Sequence, residues 1–145
     1  MTDYVLGFAF NKDMTHVALI KKTKPAWQAG LLNGIGGKIE EGEEIADALV
    51  REFQEECGIV SKTYQWREVL TMGSENWTVY VYYSNDLDIA KAETLTEEEI
   101  GIYDVNTILL DRTRSISNLP WIIGLILDRD YINGRIWAGH IGYDF

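Results

Sequence analysis

Three glutamates, Glu52, Glu55 and Glu56, stand three and four residues apart on a segment whose apolar residues recur at helical spacing. Such positions are neighbours on a helix surface, so the carboxylates repel one another unless a positive charge sits among them. A divalent cation supplies that charge, and an all-oxygen set suits a hard ion, Mg²⁺ or Mn²⁺. Gly58 predicts the helix C-terminus, which puts the acids in the last two turns, where the backbone dipole already gathers negative charge. Each acid there costs about 0.3 to 1 kcal/mol. Local violations of stability rules are expected where chemistry is done.

A rotation of about 100° per residue groups Ile45, Ala46, Leu49, Val50, Phe53 and Cys57 on one apolar face of a helix expected from about Glu44 to Cys57. Glu52 and Glu56 fall at the edge of that face, with Glu55 just beyond, while Asp47, Arg51 and Gln54 point away. Carboxylates on such a boundary are partly shielded from water, which strengthens their attraction to a cation and the cost of leaving them unpaired. The run Asn33-Gly34-Ile35-Gly36-Gly37-Lys38 ahead of the helix reads as a glycine-rich loop. It could bring main-chain groups to metal or phosphate, or simply make a tight turn. Lys38 reads as a point charge for phosphate or as a solvated lysine.

The spacing Gly37, five residues, Glu43, seven residues, Arg51-Glu52-Phe53-Gln54-Glu55-Glu56-Cys57-Gly58-Ile59 resembles the signature of the Nudix hydrolase family, with every fixed position filled. The resemblance implies hydrolysis of a nucleoside diphosphate linkage by water attack at phosphorus. It assigns Glu52, Glu55 and Glu56 as metal ligands, adds the carbonyl of Gly36, and gives Arg51 the task of orienting carboxylates by pairing with Glu43 or a ligand. Acidic site and anionic substrate are reconciled by metal ions, which also activate water. The family further uses an acid from a distant loop as ligand or general base. Glu98, in Thr96-Glu97-Glu98-Glu99, is the candidate, and a solvated strand entry is the other reading of that run.

The segment Leu32 to Lys38 is similar to that of the MutT-like branch, which hydrolyses oxidised purine nucleoside triphosphates such as 8-oxo-dGTP to the monophosphate and pyrophosphate. The Pro-Ala-Gly sequence common in ADP-ribose hydrolases is missing. A nucleoside triphosphate pyrophosphohydrolase is therefore the expected activity. The alternatives are hydrolysis of ADP-ribose, a nucleotide sugar or a dinucleoside polyphosphate, and a non-catalytic nucleotide sensor. Asn33 could hydrogen-bond a base edge or stabilise its own turn. Trp27, Trp121 and the tyrosines from 80 to 83 offer stacking surfaces, although core packing is the commoner use of an aromatic.

The elements that must position these residues follow from apolar patterning. Strands are expected at 3–10 and 16–21, joined as a hairpin through Asn11-Lys12-Asp13, and at 62–73, 77–84 and 99–104. Residues 22–31 read as a loop. A second helix is expected from Leu119 to Leu127, with Asn118 as cap and Pro120 in its first turn. Asn133-Gly134 suggests a small hairpin in the tail. Together these predict an α/β domain, an α/β/α sandwich with a mixed sheet between helices, as the resemblance also implies, spanning 1–145 as one unit.

A net charge of −10 over 145 residues argues against sequence-independent binding to nucleic acid polymers and favours a free nucleotide. The single cysteine, Cys57, reads as a core thiol, consistent with a reducing cytoplasm. No apolar run is long enough to span a bilayer. His16 and His140 are too isolated to suggest a metal site. Oligomeric state is not legible in the sequence.

Overall fold

A computed structural model describes residues 1–131 and 139–142. The strands are β1 (Thr2–Phe10), β2 (His16–Lys21), β3 (Leu32–Asn33), β4 (Ile35–Lys38), β5 (Arg67–Gly73), β6 (Trp77–Ser84), β7 (Glu99–Asp104) and β8 (Gly139–Gly142). Three α-helices accompany them among the described residues: α1 (Ile45–Cys57), α2 (Val105–Leu110) and α3 (Leu119–Tyr131). All strands join one mixed sheet. At its centre β1 runs parallel to β6 and antiparallel to both β2 and β4, with β2 pairing the end of β1 and β4 its first half.

Alternation along β1 divides the interior into two layers. Val5 and Ala9 join Ile35, Leu49 and Phe53 beneath α1, while Phe8 and Phe10 join Val17, Val81, Ile122 and Ile126 beneath α2 and α3. The sheet thus lies between helices, an α/β/α sandwich. The aromatic strand β6 serves both layers, as its pattern suggests: Val81 and Tyr83 pack on the α3 side, Tyr82 on the α1 side.

Helix α1 forms because its apolar stripe finds the sheet. Ala48, Leu49, Phe53 and Cys57 are buried, and burial of a side chain the size of Phe53 contributes about 1.5–3 kcal/mol. Gly7 allows the close approach, since a β-carbon there would meet Leu49 and the ring of Trp66. Trp66 also stands edge-on to Phe53, with centroids 5.0 Å apart. Gly58 ends the helix at φ 81°, its amide donating to the Gln54 carbonyl, as the sequence predicts. Cys57 is a core thiol, its Sγ on the Phe53 carbonyl and its pKa pushed up to about 11 by burial.

Several boundaries differ from expectation. The glycine-rich run is not a loop: residues 35–38 form β4, laid so close to β1 that a β-carbon on Gly36 would overlap the Val5 carbonyl oxygen. Residues 63–65 form a 3₁₀ turn, so β5 starts at Arg67 rather than at 62. Helix α2 was not expected. Its six residues are too few to show a helical period, although Asp104 caps it by accepting from the Thr107 amide at 3.0 Å. Helix α3 continues to Tyr131. The hairpin expected at Asn133-Gly134 lies outside the described residues, and His140 falls within β8.

Candidate functional site

The turn between β4 and α1 brings the acids to the end of the sheet. Gly37 belongs to β4, and a β-carbon on it would collide with the Glu52 carboxylate. The missing side chain is therefore what seats that carboxylate against the strand. Gly36, next along β4, is aligned with Leu6 of β1. Glu52 is largely enclosed, its side chain 13% exposed, whereas Glu55 is 57% exposed. Glu56 is intermediate. Depth decreases around the helix as the apolar pattern implies.

Arg51 ties this end together. Its Nε and Nη2 donate to the two carboxylate oxygens of Glu43 at 2.8 and 2.9 Å, a bidentate pair. Its Nη1 reaches Glu52 at 2.8 Å and Glu55 at 3.3 Å, and Nη2 also donates to the Lys38 carbonyl. Both pairings anticipated for Arg51, with Glu43 and with an acid of the trio, are present. Glu43 additionally accepts from the Glu40 amide, closing the turn that leads into α1. The guanidinium, and secondarily that amide, hold the Glu43 carboxyl at about 2.

Glu98 comes to the same neighbourhood from the loop before β7. It is buried, and Lys22 Nζ donates to its Oε1 at 2.9 Å while the Thr23 amide and hydroxyl donate to Oε2 at 2.6 and 3.2 Å. Burial raises its pKa, but the Thr23 amide and Lys22 outweigh that and leave it lowered. The solvated reading of this run does not hold for Glu98. Thr96 links the loop to α1: its hydroxyl donates to Glu56 at 3.2 Å and accepts the Glu98 amide at 3.2 Å. Glu98 is close enough to raise the pKa of Glu56, and Lys22 close enough to lower it.

Burial is the main cause that raises the pKa of both Glu52 and Glu56, with neighbouring carboxylates adding to it. Among the described residues, no three of His, Cys, Asp and Glu already converge on one point. Each acid is instead drawn to a donor of the protein: Glu52 to Arg51, Glu56 to Thr96, Glu98 to Lys22 and Thr23. The donor set itself, carboxylates with desolvated charge beside a glycine strand, fits a hard divalent ion.

The nucleotide-side candidates divide. Asn33 spends its amide locally, accepting from the Gly34 amide at 2.8 Å and donating to Gln28 at 3.4 Å, which is its turn-stabilising reading. Lys38 is exposed at the end of β4. Trp27 is 70% exposed on a 3₁₀ turn between β2 and β3, and Trp121 is 46% exposed on α3. Both indoles offer open faces.

Asn118 was read from sequence only as a cap, yet its side chain does not cap α3. Its Nδ2 rests on the Met72 sulfur at 3.5 Å, a weak acceptor, and its Oδ1 is buried without a partner. Ser115 Oγ nearby in sequence is likewise unpaired. Leu6, Trp77 and Val79 lie partly buried on the same layer as Met72. No sequence signal separates such a residue from a helix cap, because both sit before an apolar helix.

A mixed sheet between helices, with an acid-bearing helix behind a glycine strand, defines an α/β/α sandwich whose donors suit a hard cation. The chain belongs to the NUDIX domain family, whose model matches residues 2–120. It is similar to the Bacillus subtilis protein named uncharacterized Nudix hydrolase YvcI, 26% identical over 115 residues covering 74% of this chain. The chain's match spans 65% of that relative's length. Two solved structures share the fold at low identity. A MutT structure from work on Aliivibrio salmonicida and Vibrio cholerae has TM-score 0.71, 22% identity and coverage of 88% of this chain and 98% of that one. The Bacillus halodurans MutT protein has TM-score 0.72, 21% identity and coverage of 99% and 90%. An ADP compounds hydrolase matches as well, at TM-score 0.72 and 17% identity, over 93% of this chain and 76% of that one. No helix among the described residues is long and apolar enough to cross a membrane.

Proposed function

We propose that this protein is a Mg²⁺- or Mn²⁺-dependent nucleotide pyrophosphohydrolase that adds water across a phosphoanhydride of a nucleoside triphosphate, releasing the monophosphate and pyrophosphate. The observation that carries this reading is the Glu52 carboxylate seated on Gly37, with Glu56 and Glu98 in electrostatic reach of each other. Glu52, Glu55, Glu56, Glu98 and the Gly36 carbonyl would hold the metal. When bound, the metal neutralises phosphate oxygens and acidifies a water. Arg51 fixes the angle of Glu52 through the Glu43 pair and so positions rather than reacts. The Thr23 amide and Lys22 keep Glu98 ionised, which suits it to holding a cation.

Within triphosphates, an oxidised purine is the preferred base. Asn118 presents a buried acceptor with no partner, and leaving it unpaired costs about 1–3 kcal/mol. A ligand donor that met this oxygen after the side chain turned toward it would offset part of that cost. Ordinary purines carry an acceptor at N7, whereas 8-oxopurines carry N7–H, so an amide that turned its oxygen toward the base would favour the oxidised form. Trp27 and Trp121 are the candidate stacking surfaces, Lys38 a candidate phosphate contact, and Asn33 a support for the loop that holds Trp27. The fold does not choose between triphosphates and ADP compounds, since structures of both kinds match equally well.

The test is product release, with Mg²⁺ or Mn²⁺, from a panel of substrates: monophosphate and pyrophosphate from ordinary and 8-oxo purine triphosphates, and a nucleoside monophosphate with the phosphorylated remainder of the molecule from ADP-ribose, nucleotide sugars and dinucleoside polyphosphates. Preferential turnover of the 8-oxo triphosphates supports the reading. Preferential turnover of ADP-ribose refutes the base assignment, and no turnover of any compound refutes the activity.

A further inference from the structure

Among the described residues, the positively charged side chain that pairs with Glu98 is Lys22, and the arrangement around it is built rather than accidental. The Lys22 amide donates to the Leu31 carbonyl at 2.9 Å, and its own carbonyl accepts the Gly30 amide at 2.8 Å, so its backbone is fixed just beyond β2. From there its ammonium reaches Glu98 at 2.9 Å, with the lysine side chain 24% exposed and that of Glu98 9% exposed. Thr96 connects Glu98 to Glu56, accepting the Glu98 amide and donating to the Glu56 carboxylate, so Lys22 stands on an acid that is joined to α1. Its neighbour Lys24 is mostly exposed and pairs outward with Glu97 at 3.5 Å. Only Lys22 turns inward.

We propose that Lys22 is a resident counter-cation of the acid cluster: a divalent ion enters by exchanging against its ammonium for Glu98, so Lys22 sets how tightly the ion is held. This rests on the metal-dependent reading above. The physical basis is charge balance. An enclosed carboxylate beside another needs positive charge whether or not a metal is bound, and the lysine provides it at the cost of opposing a second cation. Thr23 keeps hold of Glu98 Oε2 throughout, so the carboxylate can turn Oε1 from lysine to metal without leaving its seat. Lys22 is a positioning residue, acting through Glu98.

Two measurements test this. Calorimetric titration with Mn²⁺ alone, without nucleotide, should show Lys22→Met binding roughly tenfold more tightly than the unchanged protein, since a positive charge facing the ion is gone. Lys22→Arg, which keeps the charge, should stay within about twofold. A damaged site can only loosen binding, so a gain in affinity separates this role from a structural one. In the unchanged protein, the ¹⁵N ammonium resonance of Lys22 should be slowed in proton exchange, and Mg²⁺ should release it. Equal or weaker Mn²⁺ binding by folded Lys22→Met, or an ammonium signal that Mg²⁺ leaves unaltered while binding elsewhere is seen, overturns the proposal alone. Absence of any Mn²⁺ binding by the unchanged protein overturns it together with the metal-dependent function. If Lys22→Met fails to fold, the resonance decides.

Discussion

The carboxylate of Glu52 rests on the α-carbon of Gly37, with no room between them for a methyl group. Gly37→Ala should therefore push Glu52 off its seat. The displaced group is the far end of a side chain that can swing away, so little stability should be lost, while Mn²⁺ affinity should fall by roughly 10–100-fold, as lost orientation of a ligand typically does. Urea melts and calorimetry on the same samples measure both. Native affinity in the variant would show that the strand does not position Glu52.

Arg51 makes a two-pronged bond to Glu43 that a lysine cannot reproduce. Arg51→Lys should reduce turnover by about 10–100-fold with a modest loss of stability. A steady-state assay with a melting curve separates the two effects. Loss of fold without loss of specific activity would contradict the orienting role.

Glu43 also sets an acid limit. Its carboxyl lies at about 2 in the folded chain against an ordinary 4.5. A depressed carboxyl adds stability that is complete above the ordinary value and drains away as pH falls through the folded one. Unfolding free energy should consequently decline between about pH 5 and 2. Glu43→Gln should flatten that limb, and parallel curves for the two proteins would refute the assignment.

Glu56 behaves in the opposite sense. Its pKa is raised, first by burial, so its ionisation costs folding energy, and that stability is lost as pH rises through the folded value. Glu56→Gln should melt no lower than the unchanged protein at neutral pH while losing turnover by roughly 100-fold or more, the scale for removing a group that stabilises developing charge. Full activity in this variant would remove Glu56 from the site. Because protons and metal compete for Glu52 and Glu56, Mg²⁺ activation should also fade on acidification from above pH 4.5.

Asn118→Leu removes the unpaired acceptor without emptying the space. Discrimination between 8-oxo and ordinary purine triphosphates, measured as a ratio of kcat/KM, should fall by about tenfold. Turnover of ordinary triphosphates should change little. An unchanged ratio would mean that the base is read elsewhere.

How much of this was visible beforehand depended on sequence distance. The acid trio, Arg51, Glu43 and the Gly58 stop lie within one short segment, where helical spacing translates directly into geometry. Glu98 could be singled out only as an acid in a polar run. Its clasp by Lys22 and Thr23 crosses more than seventy residues of chain, and no local pattern encodes it. Asn33 and Asn118 show the same limit at smaller scale. Both are amides beside apolar segments, and only three-dimensional packing reveals that the Asn33 amide is satisfied while the Asn118 oxygen is buried without a partner. The glycine run misled for a different reason: glycine weakens strands in general, yet here a close strand crossing requires it.

The parallel ladder between β1 and β6 runs from Thr2 opposite Trp77 to Ala9 opposite Ser84. The whole acid-bearing helix lies inside the loop of chain which that ladder closes. Such a non-local pairing carries a larger closure entropy than the nearer pairings of β1 with β2 and β4, so a slow step in folding is expected at the central ladder. The central ladder therefore depends on chain that lies some seventy-five residues beyond its own first strand.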